Sequence, residues 1–289
     1  MTSLEVASDT HDDLGESPRW HVASQTLYWV DVFEKVLHRY TPASNLREDH
    51  RLVKPASALA FRQDGGLLLA VSDRIVQSDN VGNFEQTLAT ATLLPDARFN
   101  DSGVDPQGRL WVGAFCNERK QDNGLYRLSS DVPELREMDT GIQTANGISW
   151  SPDGKTMYFA DSQPRVIYAY DFDGEAGVVT NRRVFVDCSD QPGVPDGITV
   201  DAEGHVWCAF WDGWRVVRYN PSGAAVQVLN VPAARVTACA FGGEKLDHLF
   251  ITCAISGKSA DKTGDHATAG RLYVIETKTP GIAPTATTI

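Results

Sequence analysis

The chain has no run of basic residues, no CxxC pair and nothing near the ~18 unbroken apolar residues that a membrane helix needs. Each absence removes a class of function. Lys and Arg number 26 against 38 Asp and Glu, which leaves a formal net charge of −12. A surface of that sign repels nucleic acid and anionic membranes, so neither is an expected partner. The opening segment MTSLEVASDTHDDLGE has neither a basic start nor an apolar core, which argues against a secretory signal. A soluble, cytoplasmic protein with no obligate protein partner is therefore expected. The five cysteines (Cys116, Cys188, Cys208, Cys239 and Cys253) are odd in number and lack metal-knuckle spacing. Reduced, packed thiols are the reading that remains. The seven histidines show no HExxH spacing, and amphipathic helical patterns are scarce.

What is present is a series of short apolar runs: TLYWVDV, GLLLAV, RLWVGAF, TMYFAD, HVWCAF and HLFITCA. They are rich in β-branched and aromatic residues and bounded by Gly, Asp, Asn and Pro, the mark of short strands. Each run follows a shared preamble, which starts at Glu16, Ser57, Asn100, Asn146, Asp196 and Thr237. The residue four places on is always apolar, and Gly65, Gly108, Gly154 and Gly204 stand eight places on in the middle four, where a tight turn needs φ > 0. The intervals are 41, 43, 46, 50 and 41 residues. A period of about 40–50 residues with about four strands per unit indicates an all-β, six-bladed β-propeller spanning 1–289 as a single domain. The N-terminal SLEVA is expected to add a strand to the last blade and close the ring. SGKSADKTGDHATAG is expected to be a mobile loop, and the tail TPGIAPTATTI irregular.

In a propeller the innermost strands converge on one axis, so the six starting residues should meet there. Every one of them carries a side-chain oxygen, and polar groups in a buried channel are costly unless satisfied. One solution is a cation. Glu16 and Asp196 would match a divalent charge, and the Asn146 amide oxygen would add a neutral ligand. Oxygen-only donors suit hard ions such as calcium, magnesium or manganese. The alternative is structural, because Asn-Gly and Asp-Gly pairs are also plain turn signals.

Four segments, LGESPRW, RFNDSGVDPQGRLWVG, ANGISWSPDGKTMYFADS and PDGITVDAEGHVWCAFWDGWRVVRYNP, together resemble the SMP-30/gluconolactonase/luciferin-regenerating family over almost the whole chain. The resemblance implies a six-bladed propeller with one divalent metal ion held by Glu16, Asn146 and Asp196. Calcium is the first expectation, with zinc, manganese, magnesium or ferrous iron as alternatives. It implies substrate contacts from Arg98, Asn100 and Glu118, although the sequence around Glu118 departs from the family pattern. It also implies hydrolysis of a sugar-derived lactone to the aldonic acid. Asp196 would serve as the catalytic base or as the group that positions the attacking water. An esterase or organophosphatase using the same channel, and a non-enzymatic binding platform, are the competing functions. Ser57 and Thr237 are read as channel-lining hydroxyls. Trp211 and Trp214 would either wall the pocket or pack between blades.

Overall fold

A computed structural model describes residues 3–116, 123–131, 134–255 and 267–289. These form six four-stranded antiparallel sheets, with one single-turn 3-10 helix, Pro42–Ser44, and no α-helix among the described residues. None of their helices is long and apolar enough to cross a membrane. The first strands of the six sheets are Gly15–His21, Ala58–Phe61, Ala97–Val104, Ala145–Trp150, Val194–Val200 and Arg235–Gly242. Each of these strands touches the first strands of the two neighbouring sheets, and the sequence of contacts returns to its start. The architecture is a six-bladed β-propeller, and these six are its inner strands.

Closure comes from both ends of the chain. The strand Glu5–Ser8 pairs antiparallel with Leu272–Glu276, which pairs with His248–Ala254 and so with the inner strand of blade six. The N-terminal segment thus occupies the edge expected from its sequence.

The apolar core is divided among the blade interfaces. One cluster joins Leu14, Tyr28 and Val30 of blade one to Leu59, Leu67 and Leu69 of blade two. Another joins Trp20 and Trp29 of blade one to Phe250 and Leu272 of blade six, with Trp20 stacked on Phe250 at 5.7 Å between ring centres. Each buried Leu, Val or aromatic contributes about 1.5–3 kcal/mol, so the blades are held mainly by their flanks. The axis itself is left to small and polar side chains.

The DPQGRLW and DAEGHVW stretches owe their form to one buried carboxylate each. Asp105 accepts the backbone N–H groups of Gln107 and Arg109 and the Trp111 indole N–H at 3.0 Å, with Arg109 Nε at 2.8 Å. Asp201 does the same for Glu203, His205 and Trp207, with Arg218 Nε at 2.8 Å. The charge folds its own turn and then fixes the large side chain of the next strand. The expected turn glycines, Gly65, Gly108, Gly154 and Gly204, all have positive φ.

The tail adopts no strand, as expected from its composition, but it is firmly tied. Gly281 N–H donates to Leu246 O at 2.8 Å, and Ala202 N–H donates to Pro280 O at 2.9 Å. Thr287 N–H then donates to Phe61 O, and Thr288 N–H to Gly108 O. The segment therefore runs as a strap from blades five and six to blades two and three. It bounds a cavity of about 230 Å3 whose walls include Trp20, Phe61, Trp150, Phe241 and Ile282. Most of the stretch read as a mobile loop, 256–266, lies outside the described residues. All five cysteines are buried.

Candidate active site in the central channel

Five of the six inner strands break their ladder at the same height. Register shifts fall between Glu16 and Arg19, Phe99 and Ser102, Asn146 and Ile148, Pro195 and Ile198, and Val236 and Ala238. A bulge inserts an extra residue and re-aims side chains that strict alternation would send elsewhere. The bulges coincide with the column of oxygen-bearing residues. Ser17 sits at φ 53°, and its Oγ accepts the Leu59 N–H of the next blade at 3.0 Å. Two glycines permit the crowding. A Cβ on Gly147 (φ 36°) would lie 2.7 Å from Asp196 O, and one on Gly197 would lie 2.4 Å from Ala238 Cβ.

Within the column, the Asn100 and Asn146 side chains are in direct contact. Asn100 Nδ2 donates to Asn146 Oδ1 at 2.7 Å and to Ala145 O at 2.9 Å. Arg98 Nη1 donates to Asn100 Oδ1 at 2.8 Å, and its guanidinium carbon lies 5.1 Å from the Phe115 ring centre. Asn146 Nδ2 donates to Ser162 Oγ, which donates to Pro195 O at 2.6 Å, directly before Asp196. Ser57 Oγ donates to Phe99 O at 2.9 Å and Thr237 Oγ1 to Gly15 O at 2.5 Å, so these two hydroxyls stitch neighbouring blades together. Glu118 lies outside the described residues. Trp211 packs near Leu14 and Ala254 beneath the Arg235 guanidinium, while Trp214 is turned toward solvent.

The electrostatics are those of a site short of positive charge. Burial pushes Glu16 up to about 8, and the nearby Asp101 charge adds to the rise against the pull of Arg98 and Arg19. Burial likewise holds Asp196 well above the ordinary carboxylate range, reinforced by Glu16 and then Asp101. Gly197 N–H is the favourable contact that partly offsets this rise, and Asp196 Oδ1 has no hydrogen-bond partner. A buried carboxylate oxygen without a partner is expensive. An orphaned anionic oxygen, a second carboxylate and an amide oxygen on one axis form a donor set that fits a hard divalent cation. Among the described residues, no three His, Cys, Asp or Glu side chains close on a common ligating centre.

Three residues of this region, Asp101, Arg19 and Ser162, escaped the sequence reading. Asp101, next to Asn100, accepts the Ser102 N–H at 2.7 Å and the Gly147 N–H, and Arg19 Nη2 lies 3.5 Å from it. The available signal was the Asn-Asp pair in RFNDSG, because two adjacent polar residues in a strand can both face the axis only at a bulge.

Comparison with known proteins agrees with this geometry. The model of the family described as SMP-30/Gluconolactonase/LRE-like region matches residues 14–255. The pentonolactonase XacC of Haloferax volcanii is 35% identical over 97% of this chain and 96% of its own length. A 6-deoxy-6-sulfogluconolactonase of Pseudomonas putida is 34% identical over 93% of each. The solved structure of a calcium-binding protein, regucalcin, from Agrobacterium tumefaciens superposes with a TM-score of 0.91 at 29% identity, covering 99% of this chain and 97% of that one. Matched by the family model over residues 14–255 and by relatives along nearly its full length, the chain belongs to the SMP-30/gluconolactonase/LRE-like family.

Proposed function

We propose that this protein is a metal-dependent lactonase that opens a sugar-derived lactone to its aldonic acid. The observation that carries the reading is the unpartnered, buried Asp196 Oδ1, set among Glu16, Asn146 and Asn100 at one height of the channel. Relatives named as lactonases support the reaction class. The regucalcin structure, named as a calcium-binding protein, supports a divalent ion.

Glu16, Asn146 and Asp196 would hold the ion. When bound, it supplies Lewis-acid polarisation of the lactone carbonyl and compensates the developing oxyanion. Asn146 is oriented for this task through its Nδ2 contact to Ser162, which leaves Oδ1 toward the channel. Asp196 accepts a proton from the attacking water on a carboxylate oxygen and returns it to the ring oxygen as that bond breaks.

Arg98 and Asn100 present mixed donors and acceptors to the sugar hydroxyls. The Arg98 guanidinium also favours the carboxylate that the reaction generates. Glu118, at the position implied by the family pattern, completes the proposed substrate contacts.

The test uses the purified chain before and after stripping with a chelator. Lactone opening above the spontaneous rate should vanish on stripping and return with one of calcium, manganese, zinc, magnesium or ferrous iron. Asp196→Ala and Glu16→Gln should each abolish it while circular dichroism stays native. Full activity in the stripped sample would defeat the proposal. Rates on a panel of aldonolactones and a phosphotriester separate the lactonase from an organophosphatase. A chain that binds no ion and turns over neither substrate would be a binding platform instead.

A further inference from the structure

We propose that Asp101, braced by Arg19, is a non-ligating third carboxylate that sets how tightly the channel site holds a divalent cation. The inference rests on the reading of Glu16, Asn146 and Asp196 as ion ligands and gives a role to two residues which that reading leaves unused.

Asp101 belongs to blade three, Arg19 to blade one and Gly147 to blade four. Asp101 Oδ1 accepts the Ser102 N–H at 2.7 Å and lies 3.5 Å from Arg19 Nη2, and the carboxylate also takes the N–H of Gly147, the residue after Asn146. Arg19 is fixed in turn, because its Nη2 donates to Ser102 O at 2.6 Å and its Nη1 to Pro18 O at 2.9 Å. With these contacts the Asp101 oxygens are committed, which agrees with the absence of a three-acid ligating centre among the described residues. Arg19 also lines the cavity bounded by the C-terminal strap.

The consequence is electrostatic. With the ligand carboxylates deprotonated, the form an ion must bind, Glu16, Asp101 and Asp196 face Arg98 and Arg19, three negative groups against two positive. Asp101 sits beside the ligands, between Asn100, whose amide donates to Asn146 Oδ1, and Gly147, whose N–H it accepts. Without Asp101 the count is two against two, and a dication would enter a site with no net attraction. Without Arg19 the attraction grows. A merely structural brace behaves differently, because loss of either partner would loosen the Asn146–Gly147 bulge and weaken ion binding alike. Asp101 is thus a positioning residue whose charge acts through the ligands.

The experiment titrates chelator-stripped wild type, Asp101→Asn, Arg19→Gln and the double variant with calcium and with manganese by calorimetry at pH 7.5. Circular dichroism and ion-free melting are recorded for each. The Kd of Asp101→Asn should rise at least tenfold. That of Arg19→Gln should fall about tenfold, and the double variant should return close to wild type. Should Asp101→Asn fail to fold with Arg19 left unpaired, comparison of the double variant with Arg19→Gln carries the same tenfold step. An unchanged Kd on loss of Asp101, or equal weakening in both single variants, overturns the proposal. Wild type that binds neither ion removes the ligand reading itself, which distinguishes the two failures.

Discussion

Replacing Glu16 by Gln should stabilise the ion-free protein, and do so progressively as the solution is made alkaline. The Glu16 carboxyl is lifted from 4.5 to about 8, by burial first and by the Asp101 charge second. The unfolded chain releases this proton near 4.5, whereas the folded chain keeps it until about 8. The folded state thus binds more protons across this interval, so stability falls as pH rises through it and levels off above. That interval, at about 1.4 kcal/mol per pH unit, amounts to about 5 kcal/mol. This is an upper figure, since the channel mouth admits some water to a carboxylate that is only part-buried. Glu16 and Asp196 repel one another, so their protons leave in two successive steps and the figure belongs to the pair. The assay is urea unfolding in chelator from pH 5.5 to 9. Wild type and Glu16→Gln should lie close together at the acid end and separate by several kcal/mol at the alkaline end. Parallel curves would refute the argument, because they would mean that Glu16 titrates alike in both states.

Asp201→Asn should cost about 3–5 kcal/mol in urea unfolding, because the Arg218 charge and two backbone N–H groups lose their buried anion. Ion affinity should be unchanged, since Asp201 lies in the turn after the inner strand Val194–Val200, at the opposite end of that strand from Asp196. Gly147→Ala should lower stability by about 2–3 kcal/mol and weaken ion binding, since the new Cβ meets Ile198 and the Asp196 carbonyl from a left-handed backbone. Thermal melts with and without calcium would read both effects. Ending the chain before Pro280 should lower the melting temperature by several degrees through loss of the strap's backbone bonds, each worth about 1 kcal/mol. Calorimetric ion affinity should survive that truncation, since the strap touches none of Glu16, Asn146 or Asp196.

The blades and the column of oxygens were legible because a propeller repeats. Equivalent positions in successive units occupy equivalent heights, so Glu16, Asn100, Asn146 and Asp196 could be aligned without knowing any contact. Asp101 and Arg19 were not legible, because strand alternation turns Asp101 away from the face of Asn100 and only the bulge brings both inward. Ser162 escaped for another reason. It follows the second strand of its blade and reaches Asn146 through tertiary geometry that no periodicity encodes. The tail was read correctly as lacking strands, but its low regularity hid its anchorage. Its hydrogen bonds go to Phe61, Gly108 and Leu246, partners distant in sequence that composition cannot reveal.

The last sheet mixes strands from the two extremities of the chain, with Glu5 opposite Val274. Such a clasp cannot be fastened locally. The ribosome must emit the Leu272–Glu276 strand before the first-made segment finds its place, and that pairing has the largest sequence separation of any in the sheets. Until then, Trp20 and Trp29 on the outer flank of the first blade have no Phe250 and Leu272 to cover them. A newborn chain therefore exposes an aromatic surface through most of its synthesis, and chaperone demand should concentrate on that uncovered flank.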